Sequence, residues 1–99
     1  MPRWRFLTNH ALVLRAIANN PKITGPELAA EVRITERGVR YIIAHLEAEG
    51  YITKKRIGRR LKFRINPDLT MRHKMYQDTA VGDFLKSLGQ KKKRGHIKY

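Results

Sequence analysis

The chain has 99 residues, 41% of them hydrophobic, which is enough for one modest core and argues against global disorder. With no cysteine it has no disulfide staple and no thiolate metal site, and no stretch approaches the ~20 apolar residues of a membrane span. Lys and Arg number 22 against 8 Asp and Glu, a formal charge of +14 that points to a polyanionic partner.

Along the chain, three helix starts share one pattern. An aliphatic residue precedes a threonine, and a second aliphatic residue follows four positions after it: Leu7-Thr8 with Leu12, Ile23-Thr24 with Leu28, Ile34-Thr35 with Val39. Each threonine can accept from the free N–H groups of a first turn, and each aliphatic pair can close a hydrophobic staple. Glu27, three residues after Thr24, completes a capping box. The first helix is predicted from about Asn9 to Asn19, with Leu12, Val13, Ala16 and Ile17 inward. It is ended by Asn19-Asn20-Pro21. The second runs from Gly25 to Val32 with Leu28, Ala29 and Val32 inward. After the tight turn Arg33-Ile34-Thr35, the third covers 36–49, burying Val39, Ile42, Ile43 and Leu46. Gly50 then suits a left-handed cap.

After Gly50 the period changes from helical to alternating. Residues 51–66 read as a basic hairpin, with Gly58-Arg59-Arg60 at its turn and Leu61, Phe63 and Ile65 inward against Lys62 and Arg64 outward. Ile52 and Ile57 have opposite parity, so the outward members of Lys54, Lys55 and Arg56 stay undecided. A last helix is expected over about 78–89, capped by Asp78, with Val81, Phe84, Leu85 and Leu88 as its apolar stripe. Residues 1–89 thus make one domain, and 90–99 a basic, flexible tail. Helix, helix, tight turn, helix, hairpin, helix is the order of a winged helix-turn-helix. The expected fold is mainly α with a small β-hairpin: a three-helix core, a wing and a C-terminal helix.

The charge is clustered. The hairpin carries Lys54, Lys55, Arg56, Arg59, Arg60, Lys62 and Arg64 with no acid, and the tail carries Lys91, Lys92, Lys93, Arg94 and Lys98 with no acid. Such clusters repel themselves unless an anion offsets them. The third helix is the candidate for a DNA major groove, which admits an α-helix. Removing its inward set leaves Glu36, Arg37, Arg40, Tyr41, Ala44 and His45 outside. Arg37 and Arg40 share a face and suit guanine or phosphate; Tyr41 suits a sugar or phosphate. Glu36 serves the helix N-terminus. Thr24 and Thr35, besides capping, bring backbone N–H groups toward phosphates, and Lys22 is a further phosphate candidate. Arg59 and Arg60 at the wing tip reach a minor groove or flanking phosphates, with Lys62 and Arg64 exposed behind them. Gly38, inside the helix, is expected to allow either close approach to DNA or a tight crossing with the second helix.

The stretch from Trp4 to Gly89 resembles short winged-helix transcriptional regulators of the MarR/ArsR-like kind in bacteria and archaea. The resemblance is carried by Trp4-x-Phe6-Leu7-Thr8-Asn9-His10-Ala11, Ile34-Thr35-Glu36-Arg37, Leu46-Glu47-x-x-Gly50-Tyr51-Ile52, Gly58-Arg59-Arg60 and Pro67-Asp68-Leu69-x-x-Arg72-His73. It implies sequence-specific binding of double-stranded DNA, transcriptional regulation and a homodimer joined through terminal helices. Independently, the late apolar stripe (Val81, Phe84, Leu85, Leu88), with Trp4 and Phe6 at the other end, leaves apolar surface for a dimer interface. The tail is extra to the family.

No metal or cofactor is expected. The four histidines (His10, His45, His73, His96) are scattered without ligand-like spacing, and His10 and His73 are read as structural hydrogen bonders. No phosphate loop, nucleophile motif or paired carboxylate suggests an enzyme. The expected setting is cytoplasmic and away from membranes, on the nucleoid when DNA is bound. Any small-molecule effector is unspecified. The alternatives are an RNA- or ribosome-associated basic protein, a non-specific architectural DNA binder, or a protein–protein module. An inward Phe63 disfavours stacking on single-stranded RNA, and the wing charge disfavours a protein module.

Overall fold

The computed structural model describes residues 7–71 and 78–88. Helices α1 (Asn9–Asn19), α2 (Gly25–Val32) and α3 (Glu36–Ala48) precede strands β1 (Ile52–Ile57) and β2 (Arg60–Ile65), and a short α4 (Val81–Ser87) follows. All three threonines cap as their positions predict. Thr8 Oγ1 accepts from Ala11 N–H (3.2 Å), Thr24 Oγ1 from Glu27 N–H (3.2 Å), and Thr35 Oγ1 from Gly38 N–H (2.9 Å). The Thr24 N–H donates in return to Glu27 Oε1 at 2.9 Å, so the capping box is complete. Between α2 and α3, Arg33 takes a left-handed conformation (φ 67°). Its N–H and that of Ile34 both reach the Ala29 carbonyl, which closes α2 and turns the chain in three residues. Gly50 (φ 85°) ends α3 in the same way.

The core draws on every element. Val13 and Ile17 of α1, Leu28 and Val32 of α2, and Val39, Ile42 and Leu46 of α3 meet Ile52 and Phe63 of the hairpin. Ala29 and Ile43, expected inward, are half-buried, and Leu14 replaces Leu12 among the buried residues of α1. The hairpin is antiparallel with Ile52 opposite Ile65 and Ile57 opposite Arg60, leaving Gly58 and Arg59 as a two-residue loop. Gly58 has φ 62°, the positive value such loops need at their first position, and Arg60 belongs to β2 rather than to the turn. Leu61, expected inward, is exposed, because at the tip no core lies beneath it. The hairpin's base is tied to the helical body by Phe63 N–H, which donates to the Pro21 carbonyl (2.8 Å), and its ladder is extended by Asn66 N–H donating to the Tyr51 carbonyl (2.9 Å).

The last helix differs from expectation. It begins at Val81, and its cap residue is Ala80, with no side-chain bond; Asp78 sits in a turn outside it. Backbone pairing replaces the missing cap. Met71 N–H donates to Thr79 O, Val81 N–H to Leu69 O and Gly82 N–H to Pro67 O, all within 2.8–3.0 Å. Val81 and Leu85 are then buried in the domain's own core, with Phe84 and Leu88 packed half-buried against it. The core is therefore closed by α4 rather than complete without it. Val81 and Leu85, expected at a dimer interface, are enclosed within one chain. Trp4, Phe6, Arg72, His73, His96 and the tail lie outside the described residues.

Candidate nucleic-acid interface

On α3 the inward and outward sets separate as helical spacing requires. Val39, Ile42 and Leu46 are buried, while Glu36, Arg37, Arg40, Tyr41, Ala44 and His45 are exposed, Tyr41 by 64%. Neither Arg37 nor Arg40 has an ion-pair partner among the described residues, so both guanidinium groups are available to an anion. Gly38 does not serve the expected tight crossing with α2. The atoms nearest to an added Cβ are Thr35 Oγ1 (3.3 Å) and Ile34 Cδ1 (3.7 Å), which belong to the capping turn and not to α2. Glycine at that position leaves room for the cap itself.

His45 is not a free outward imidazole. Its Nδ1 lies 3.2 Å from Nε2 of His10, the two rings stack with centroids 5.5 Å apart, and Tyr41 tilts onto His45 at 4.2 Å. The expectation of scattered histidines is thereby corrected: the packing of α1 on α3 joins residues 35 apart in sequence. The pKa of His10 is lowered, first by burial and then by the neighbouring His45 charge. Among the described residues no three His, Asp or Glu side chains gather as they would to hold a metal ion.

The N-termini of α2 and α3 bring in Thr24 and Thr35. Lys22 is exposed just before the first of them, its N–H donating to Asn20 Oδ1 at 3.3 Å. Glu27 has its pKa lowered chiefly by the backbone and side-chain bonds from Thr24. Burial opposes the shift slightly, and the Arg60 charge adds to it. That last effect places Arg60, beside the wing tip, within electrostatic reach of the α2 start. The hairpin charge is thus not wholly without acids: Lys54 Nζ also lies 3.4 Å from Glu47 Oε1, a half-exposed pair of small energetic weight.

Register settles what parity left open. Direct partners in an antiparallel pair share a face. Lys54 opposite Phe63 and Arg56 opposite Leu61 therefore lie on the face turned toward α3, where Glu47 meets Lys54. Lys55 opposite Lys62 and Thr53 opposite Arg64 lie on the other face. Arg59 and Arg60 are exposed at the tip, and Lys62 and Arg64 are exposed as expected, but on the wing's far face. The candidate residues therefore form a helix set (Arg37, Arg40, Tyr41), a cap set (Lys22, Thr24, Thr35), a tip pair, and a group behind the wing. Spacing within the sequence carried no signal for Lys55 or for His10 as the partner of His45.

Residues 8–53 match the family described as winged helix-turn-helix DNA-binding. The matched stretch runs from the first cap through α3 into β1 and contains the whole helix-turn-helix. Among solved structures, the zinc-dependent MarR family transcriptional regulator AdcR in its Zn(II)-bound state is similar. Its identity is 19% and its TM-score 0.48, over 66% of this chain and 47% of that one. The chain spans about half the length of that regulator. No curated protein matches the chain. Among the described residues, four helices with a two-stranded antiparallel hairpin, in this order, are a winged helix-turn-helix fold.

Proposed function

We propose that this winged helix-turn-helix chain is a sequence-specific regulator of transcription that binds double-stranded DNA. In this reading the N-terminal half of α3 enters the major groove and the wing lies on phosphates or in a minor groove. The observation that carries it is the exposed face of α3. Arg37, Arg40 and Tyr41 stand on a helix whose start is capped and whose opposite face is locked into the core, so three base- or phosphate-seeking side chains share a rigid support. Phe63 is buried, so the described strands offer no aromatic platform for single-stranded RNA. The reading includes a cytoplasmic setting and two copies acting together. A two-fold pair would set two α3 helices about one DNA turn apart. Of the apolar residues expected at that interface, Phe84 and Leu88 are half-buried and so partly open to such a contact.

The test is selection of bound duplexes with the purified protein, followed by salt titration. Enrichment of a defined motif is expected, with palindromic half-sites if two copies bind. Affinity for that motif should fall with a log–log slope of several units, as for roughly 6–10 phosphate contacts. No enriched motif, or an affinity that is flat across moderate salt, would overturn the reading.

A further inference from the structure

The far face of the hairpin has a construction that DNA reading by α3 does not use. Lys55 stands directly opposite Lys62, with Arg64 and Thr53 beside them on the same face. Like charges directly opposed across an antiparallel pair are destabilising, so this face is built against its own stability unless an anion joins it. Together with Phe63 and Ile65 of the core-facing side, this face walls a cleft of about 780 Å³, within the size of small-molecule sites. The opposite walls are the C-terminal end of α1 and α4, whose last turn adds Lys86. Lys55, Lys62, Arg64 and Lys86 are the four charged residues lining the cleft, no acid lines it, and none of the four has an ion-pair partner among the described residues. Between these cations the lining is apolar, with Ile17, Ile65 and Leu85.

We propose that this cleft binds a small amphipathic anion, a carboxylate, sulfonate or phosphate headgroup on an apolar body. A bare inorganic anion would use the cations and leave the apolar lining wet. A neutral apolar molecule would use the lining and leave Lys55 facing Lys62 uncompensated. Only a ligand with both parts satisfies both surfaces. The chain's own tail, with Lys91, Lys92, Lys93, Arg94 and Lys98, carries the wrong sign, as does a second copy at +14. The inference does not depend on DNA binding.

The probe is 8-anilinonaphthalene-1-sulfonate, whose fluorescence rises when its apolar body leaves water, titrated into the full chain at fixed ionic strength. Saturable binding is expected. It should weaken about tenfold or more, at least the weight of one charge-assisted contact, in Lys62→Ala/Arg64→Ala, which removes two cations, and likewise in Ala18→Glu, which puts a repelling carboxylate at an exposed position of the cleft wall. Arg37→Ala should bind the probe as the unaltered chain does, and denaturant midpoints identify any variant whose fold has changed. Equal binding by all variants would overturn the proposal, as would equal affinity for a neutral probe of similar size. So would displacement of the probe by a DNA duplex together with a parallel loss of duplex affinity in Ala18→Glu, which would make the cleft part of the DNA surface. Loss of probe binding in Ala18→Glu with its duplex affinity intact supports the cleft as a separate site. Absence of duplex binding with the probe result intact defeats the DNA reading alone.

Discussion

Arg37 and Arg40 owe their availability to what is missing around them: the nearby acid of α3, Glu36, is also exposed, and no described carboxylate pairs with either guanidinium. If they read bases, Arg37→Ala and Arg40→Ala should each reduce discrimination between the selected duplex and random DNA by ~1–3 kcal/mol. Arg59→Ala should weaken both DNAs alike. Equal losses on both DNAs in all three variants would show that α3 contacts only the backbone. His10 carries a different consequence. Its pKa in the fold lies below the unfolded value of about 6.5, because burial and the His45 charge oppose protonation. The unfolded chain therefore takes up the proton first. Stability from this residue is fully present above the unfolded pKa and declines as pH falls below it. Urea midpoints at pH 7.5 and 5.5 should differ more for the unaltered chain than for His10→Gln, and identical differences would rule the pair out as the source. Helical spacing alone was enough to place Arg37 and Arg40 outward. It could not bring His10 to His45, because that contact belongs to the crossing of two helices.

Local chemistry explains the first three helices element by element. Each has its cap threonine, its staple and its apolar face within a dozen residues, so short-range bonds and side-chain period agree. Thr24→Ala should cost ~1 kcal/mol, the usual value of a lost cap, measured as a shift in the denaturant midpoint. It should also raise the Glu27 pKa toward its ordinary value by removing the side-chain bond. A variant with unchanged stability would mean that the Thr24 N–H bond to Glu27 alone sustains the box. The hairpin is harder to read at this scale. Alternation placed Phe63 and Ile65 correctly but misled at Leu61, since a period records a preference and the tip has no core to bury a side chain in. Helix α4 was misplaced at its start because Asp78 has the chemistry of a cap but not the position. The first N–H groups of that helix are satisfied by the carbonyls of Pro67 and Leu69, partners that no local pattern reveals.

Over the whole molecule, α4 is part of the fold's closure. A Cβ at Gly82 would stand 2.6 Å from Pro67 Cβ and 3.0 Å from Pro67 O, so Gly82→Ala must push α4 away from the segment it is bonded to. A loss of ~1–3 kcal/mol is expected, as for other overpacked sites, and a midpoint equal to the unaltered chain's would show that α4 can shift freely. Leu85→Asp is expected to unfold the domain, by circular dichroism, rather than only separate two copies. It places a carboxylate among Val81, Ile17 and their neighbours at a cost of several kcal/mol, against a total stability of roughly 5–15 kcal/mol for such a domain. A folded monomer from that variant would restore α4 as an interface helix. The sequence by itself determined the element order, the three caps, the buried stripe of α3 and the basic hairpin, because each depends on residues close together in the chain. Only the tertiary structure decided the face on which each hairpin cation lies, the joining of His10 to His45, the enclosure of Val81 and Leu85, and the cleft behind the wing. Those depend on register and on packing between elements far apart in sequence, where one residue's position is set by partners that its own neighbours do not specify.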